Sequence, residues 1–141
     1  MNAGPDRFGL PRELTPIVPL LTNRVHRNYC GGYFLDKLER KASFQDGDRP
    51  EDWLSSTVAA INQGMEPLPN EGLSRVQVIF SETRPLEGLF SKASDCHLGS
   101  ARVRRHGLQL GFCAKLLDSS MQLPHQGHHI AAFAREHPRS T

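Results

Sequence analysis

The sequence predicts a mainly β domain with short helices. Several apolar, partly β-branched segments have the length of single strands and are separated by turn residues. The chain of 141 residues suits one domain, and its 12 glycine and 10 proline residues favour many turns and loops. Segments with helical spacing of apolar residues are also present, but each is short.

The amino-terminal part of the chain predicts a leader, an extended segment and a helix. Residues 1–15 are rich in glycine and proline and predict a flexible leader, which leaves 16–141 as the domain. Segment 16–25 is apolar, but Pro19 interrupts it, so an edge strand or another extended segment is expected. In 31–41, apolar residues recur at helical spacing between charged residues, which predicts a helix.

The remaining segments predict both strands and helices. EDWLSSTVAAIN predicts a strand at about 53–61, and LSRVQVIF predicts a strand at 73–80. Two short helices, each ended by glycine, are expected in RPLEGLFSKA and in LGSARVRRHG. A β-like run at 108–117 and a helical tail in AAFAREH complete the order.

The charges, cysteines and apolar runs of the sequence argue against a nucleic-acid-binding, disulfide-bonded, secreted or membrane-spanning protein. Lysine and arginine number 17 and acidic residues 15, so the net charge of +2 does not by itself indicate an acidic partner. The basic residues Arg102, Arg104 and Arg105 form either a solvated helix face or a small interaction patch. Without interleaved aromatic residues, no nucleic-acid partner is expected. Three cysteines without a CxxC pair indicate reduced thiols, and no apolar run has the length of a signal peptide or membrane span. We therefore expect a cytoplasmic protein without a membrane partner.

The segment LPHQGHH at 123–129 is rich in groups that can bind a metal ion. In a strand, Gln126 and His128 would project to one face, because alternate residues share a face, and His125 and His129 would project to the other. Imidazole nitrogen is a common zinc ligand, whereas a glutamine oxygen is a rarer one. Spacing alone leaves two interpretations, a metal site and an exposed polar turn, of which the turn is the more frequent.

Four blocks of the sequence, in order, resemble the class I mannose-6-phosphate isomerases. GFCAKLLDSSMQLPHQGHHIAAFARE is similar to the family region in which a K-[FL]-L-D motif precedes L-[SP]-x-Q-x-H-P. NRVHRNYCGGYFLDKLE is similar to the opening segment of the bacterial branch, with His26 where that branch typically has tryptophan. PEDWLSSTVAAINQG and EGLSRV are similar to the next two blocks, so the resemblance covers the chain from about Pro16 onward.

The resemblance implies a cupin, which is a β-sandwich of the jelly-roll type, and a sugar phosphate substrate. The family interconverts mannose 6-phosphate and fructose 6-phosphate through an enediol, with a zinc ion that polarises the carbonyl. The resemblance implies Gln126 and His128 as zinc ligands. It also implies Glu51 and Lys115 as candidate catalytic residues, Glu51 near the substrate pocket and Lys115 either as a buried charge or as a charge just behind the metal ligands. For both residues, the alternative is an ordinary surface charge. Trp53 is expected in the core.

The family has further ligands that lack a counterpart in this chain. They are a glutamate in a G-K-x-E-A-W-like block and a later histidine, and a catalytic zinc normally takes three protein ligands. We therefore expect a truncated jelly roll that binds zinc weakly or not at all, lacks isomerase activity alone and self-associates through exposed strand edges. Whether the chain acts as an enzyme stays open, and the alternative is a non-catalytic cupin fragment that acts as a binding or regulatory protein.

Overall fold

The computed structural model describes residues 18–62, 64–66, 68–79, 82–123 and 130–136, so the leader predicted at 1–15 lies outside the described residues. In chain order the elements are β1 (Arg24–Val25), α1 (Tyr33–Leu38), β2 (Glu51–Leu54), β3 (Arg75–Ile79), β4 (Glu82–Pro85), α2 (Leu86–Leu98), α3 (Ser100–His106), β5 (Ala114–Leu117) and α4 (Ala131–Glu136). This part of the chain is a mixture of short helices and small antiparallel sheets.

A three-stranded antiparallel sheet joins segments that are far apart in sequence. β2 is its central strand, with β1 on one side and β5 on the other. β1 places Val25 opposite Glu51, and β5 places Lys115 opposite Trp53. The β2 residues Glu51, Asp52 and Trp53 are all buried, and Trp53 lies in the interior as predicted.

A second sheet of two strands, β3 and β4, leads directly into α2. Val76 of β3 packs with Leu86, Leu89 and Phe90 of α2 in a buried apolar cluster. Leu89 and Phe90 follow Leu86 by three and four positions, so the three residues lie on one face of the helix. Truncating the fully buried Leu89 to alanine would cost about 2–5 kcal/mol of stability, since a cavity would replace its side chain.

The loop before α1 is fixed by the segment that follows β5. The carboxylate of Asp118 accepts hydrogen bonds from the backbone amides of Gly32 at 3.2 Å and Phe34 at 2.6 Å. These amides lie at the start of α1, where helix N–H groups lack partners inside the helix. Gly31 lies so close to this segment that an added Cβ would be 1.8 Å from the backbone oxygen of Asp118. Only glycine fits there, which explains why the helix follows a glycine pair.

Most of the predicted elements are found. The helix predicted at 31–41 is α1, and the two glycine-ended helices are α2 and α3, which are followed by Gly99 and Gly107. The strand predicted at 73–80 is β3, the extended segment at 16–25 contains β1, and the helical tail is α4.

Two strands differ from the prediction, and both differences have a local cause. The strand predicted at 53–61 begins earlier and ends at Leu54, since Ser55 has a φ of 55°. The β-like run at 108–117 forms a strand only from Ala114, after Gly111 with a φ of 75°. Helices hold more of the described residues than strands do. The predicted fold class is therefore confirmed in its coarser form, as short helices with antiparallel sheets.

The structure also shows the surroundings of the basic residues on α3 and the state of the cysteines. Arg104 and Arg105 are exposed on α3, as on a solvated helix face, whereas Arg102 is half-buried and donates to the backbone oxygen of Leu110. Cys30, Cys96 and Cys113 are free thiols. In the part of the chain that the structure describes, no helix has both the length and the apolar character needed to cross a bilayer.

Candidate functional site

A buried carboxylate on β2 is the centre of the candidate site. Glu51 begins β2 and is only 5% exposed. Glu51 and Trp53 are two residues apart in a strand, so they project to the same face. Arg27 and Tyr29 have the same spacing just after β1, which pairs with β2. These four residues and Lys115 of β5 form what we call the Glu51 cluster.

Four side chains converge on the carboxylate of Glu51. Arg27 donates from Nε to Oε1 at 2.9 Å and from Nη2 to Oε2 at 3.1 Å, which makes a bidentate pair. The Tyr29 hydroxyl donates to Oε1 at 2.5 Å, and the indole Nε1 of Trp53 donates to Oε2 at 2.7 Å. The ammonium of Lys115 lies 3.5 Å from Oε2. Both oxygens are engaged, which compensates a charge that would be costly to bury alone.

Two cations of the cluster also lie against the ring of Trp53. Lys115 Nζ is 4.3 Å from the ring centroid, and the guanidinium carbon of Arg27 is 5.0 Å from it. Both distances lie within the range of cation–π attraction. The side chain of Lys115 is 40% exposed, so a ligand in solution could contact Lys115, whereas the Glu51 carboxylate beside it is buried.

The contacts of Glu51 determine its protonation state. Burial alone would raise the pKa of Glu51, but the hydrogen bonds from Arg27, Tyr29 and Trp53 and the charge of Arg27 outweigh it and lower that pKa to about 2. Burial, and then the hydrogen bond to Glu51, raise the pKa of Tyr29 above its usual range. Glu51 is therefore ionised at neutral pH and a poor proton acceptor, and it serves to hold charged and polar groups in place.

The structure brings together two of the four residues that the resemblance assigns to the site. Glu51 and Lys115 are in contact, and the burial of Glu51 shows that it is not an ordinary surface charge. The expectation that Lys115 is buried is wrong, because all four residues of β5 are exposed. Gln126 and His128 lie outside the described residues. Across the ranges that the structure describes, no group of three His, Cys, Asp or Glu residues could hold a metal ion.

Arg27 and Tyr29 were not predicted as site residues, although the sequence contains a signal for them. R-x-Y and E-x-W each place two polar or aromatic groups on one face of an extended segment. A buried glutamate needs a cationic partner. Arg27 is an arginine that lies two residues before a hydroxyl donor, Tyr29, in an extended segment. Recognising the pair required knowledge that β1 lies beside β2.

Another carboxylate, that of Glu71, is connected to the Glu51 cluster, and its side chain is 7% exposed. Asn62 accepts from Arg27 at 2.5 Å and donates to Glu71 at 3.2 Å. Glu71 Oε1 lies 2.7 Å from the backbone nitrogen of His26 and 2.6 Å from its Nδ1. Arg49 Nε donates to His26 Nε2 at 3.0 Å, which leaves Nδ1 as the ring nitrogen that donates to Glu71. Burial alone would raise the pKa of Glu71, but the contacts with His26 and the charge of Arg49 lower it.

Comparison with known proteins adds no relative to this picture. No family model matches the chain, and no curated protein or solved structure is significantly similar to it.

Proposed function

We propose that this chain forms part of a cupin domain of a zinc-dependent aldose–ketose isomerase of the class I mannose-6-phosphate isomerase type. The reaction interconverts mannose 6-phosphate and fructose 6-phosphate. A proton leaves C2 of the aldose and returns at C1, and a hydroxyl proton moves from O2 to O1, through an enediol. The proposed zinc ligands of this chain are Gln126 and His128.

The pairing of β2 with β5 is the observation that carries the proposal. The two strands come from the blocks PEDW and KLLD, which contribute independently to the resemblance. The strands pair with Trp53 opposite Lys115, and Lys115 contacts Glu51. Chance similarity of two short blocks gives no reason for their residues to pair. The pairing therefore supports an origin of both blocks in one sheet of a shared fold.

Asp118 adds a third block to the same argument. It ends the KLLD motif, and its carboxylate accepts from Gly32 and Phe34 in the GGYF part of the opening block. Three segments that resemble one family in sequence are therefore in mutual contact, as expected if they share the family's fold.

Within this proposal, Lys115 and Glu51 have different roles. Lys115 is partly exposed and cationic, so it is suited to stabilise the negative charge that develops on the sugar oxygens in the enediol. Glu51 has a pKa of about 2 and is buried, so it acts as a positioning residue that holds the Lys115 ammonium. Proton transfer is left to another group.

A chimeric enzyme tests the proposal. Residues 16–141 replace the matching region of a class I mannose-6-phosphate isomerase, and fructose 6-phosphate formation is measured with added zinc. We expect turnover well above the blank. Lys115→Met should lower kcat while zinc content is retained, and His128→Ala should lower zinc content as well.

Matched substitutions separate these roles from general damage. Lys37→Met on the exposed surface of α1 and His106→Ala on α3 should leave turnover and zinc content unchanged. A chimera that folds cooperatively and binds zinc but gives no turnover would contradict the proposal. Equal losses in the Lys115→Met and Lys37→Met variants would contradict the role of Lys115.

A second candidate function, a non-catalytic binding or regulatory piece, is favoured by the exposed surface near β5. All four residues of β5 are exposed, and within the described residues β5 pairs only with β2. Large apolar side chains are exposed there, with Leu117 at 51% and Phe112 at 64%. A free strand edge with apolar neighbours can pair with the same edge of a second copy. In this case the chain would associate without any isomerase activity.

A further inference from the structure

A cavity of about 360 Å³ lies beside β1 and β3 and is lined by three arginine residues. These are Arg24, Arg49 and Arg75, and the uncharged groups Thr22 and Asn70 line the same space. A cavity of this size is in the lower part of the range that small-molecule sites occupy. It does not include any residue of the Glu51 cluster.

The three arginines differ in how far their donors are already used. Arg24 is neutralised, since Nη1 donates to Asp36 at 3.2 Å and to Glu39 at 3.0 Å, while its other nitrogens donate to the backbone oxygen of Arg49. Arg49 donates through Nε to His26. Arg24 therefore shapes the wall of the cavity, while Arg49 keeps its Nη donors available.

Two guanidinium groups retain donors for a ligand. Within the described part of the chain, the Nη nitrogens of Arg49 have no hydrogen-bond partner. Arg75 donates from Nε and Nη2 to Thr83, a neutral residue, and its Nη1 likewise has no partner among the described residues. Both side chains belong to exposed residues. They present two positive charges to one cavity.

The single carboxylate that lines the cavity, Glu71, offsets part of this positive charge, since it attracts Arg49. Glu71 is bound to the backbone and imidazole of His26 and to Asn62. The same imidazole accepts from Arg49, so Glu71 and His26 together fix the position of that guanidinium. The cavity therefore keeps a net positive charge, which comes from Arg75, and it contains one preorganised arginine, Arg49.

We propose that this cavity binds the phosphoryl group of a small phosphomonoester, with Arg49 and Arg75 donating to its oxygens. Planar guanidinium groups match the geometry of phosphate oxygens and bind them in a bidentate manner. A phosphomonoester has three acceptor oxygens and close to two negative charges at neutral pH, so it can accept from both guanidinium groups at once, which a carboxylate with two oxygens does less well. Thr22 and Asn70 offer hydrogen bonds to hydroxyl groups on the remainder of the ligand. The proposal does not depend on isomerase activity or on zinc.

Calorimetric titration of the full chain, free of added metal, tests the site. The ligands are inorganic phosphate, mannose 6-phosphate and mannose, at constant ionic strength. We expect saturable binding of phosphate and of mannose 6-phosphate and no binding of mannose. Tighter binding of mannose 6-phosphate than of phosphate would identify an organic phosphate as the ligand, whereas equal affinity would identify free phosphate.

Substitutions locate the binding. Arg75→Gln and Arg49→Gln should each weaken phosphate binding by about tenfold, the loss expected for one charge-assisted contact. Arg105→Gln, an exposed arginine on α3 that does not line the cavity, should change nothing. Arg75→Gln is the decisive variant, because Arg75 makes no contact with His26, and its unfolding curve should match that of the wild type. Absence of saturable phosphate binding, or equal weakening by Arg105→Gln, would overturn the proposal.

Discussion

Replacing Glu51 with glutamine should destabilise the chain more than any other change of one charge in the sheet. Glutamine has the same shape, but it removes the negative charge and leaves the Arg27 guanidinium and the Lys115 ammonium without their partner. A pKa lowered from 4.5 to about 2 corresponds to about 3 kcal/mol at neutral pH. Breaking a buried ion pair by removing one member typically costs a similar amount. We expect the Glu51→Gln variant to lose about 3 kcal/mol.

The pH dependence of this contribution has a definite sign. The folded-state pKa of Glu51, about 2, lies below the ordinary value of 4.5, so the ionised group stabilises the folded chain. The stabilisation is fully present above pH 4.5 and is lost as the pH falls from 4.5 to about 2. The difference in unfolding free energy between the wild type and Glu51→Gln should therefore shrink over that range.

Urea unfolding followed by tryptophan fluorescence measures the effect. The chain has one tryptophan, Trp53, whose indole contacts Glu51, so the signal comes from the cluster itself. Glu87→Gln, on the exposed first turn of α2, is the matched control and should cost about 0.5 kcal/mol or less. A loss in Glu51→Gln no larger than in this control, or a difference that does not change with pH, would refute the reasoning.

Four further predictions concern activity, association, packing and metal binding. The isolated chain with added zinc should give no turnover of mannose 6-phosphate in a coupled assay, because the resemblance supplies only two ligands. Sedimentation should show association that increases with concentration. The Leu117→Lys variant should contain a larger share of monomer than the wild type at the same concentration. Gly31→Ala should lower the unfolding free energy by about 1–3 kcal/mol, because its Cβ would lie 1.8 Å from a backbone oxygen, whereas Gly88→Ala, in open space on α2, should not destabilise. In a zinc titration at neutral pH, His128→Ala should remove most of the binding and His125→Ala little; equal losses would contradict a shared strand face for the proposed ligands.

The helices could be predicted because their signals are local. In α2, the buried residues Leu86, Leu89 and Phe90 have the spacing of one helix face, and the helix is followed by Gly99 with a φ of 83°. α3 likewise ends before Gly107. These signals do not depend on which distant segment packs against the helix, so the local sequence is enough to predict both helices.

The bounds of β2 could not be predicted because its first two residues are charged. Glu51 and Asp52 are both buried, and hydrophobicity alone excludes such residues from a strand interior. Each is compensated by a distant group: Arg27 binds Glu51, and the backbone amide of Asn23 donates to Asp52 at 2.8 Å. Whether a charged residue can be buried thus depends on the segment that packs against it. The pattern of residues 51–61 alone therefore predicts a strand that begins at 53 instead of at Glu51.

The contact between Lys115 and Glu51 depends further on the register of β5. A shift of one residue would turn every β5 side chain to the opposite face, and Lys115 would then leave Trp53 and the carboxylate. The backbone nitrogen of Asp118 donates to Pro50 at 2.9 Å, and the Asp118 carboxylate accepts from the amides at the start of α1. A shifted strand would break both contacts at once, so the capping of α1 fixes the position of Lys115. The sequence contains each of these residues, but only the fold shows that the start of a helix positions the lysine of the candidate site.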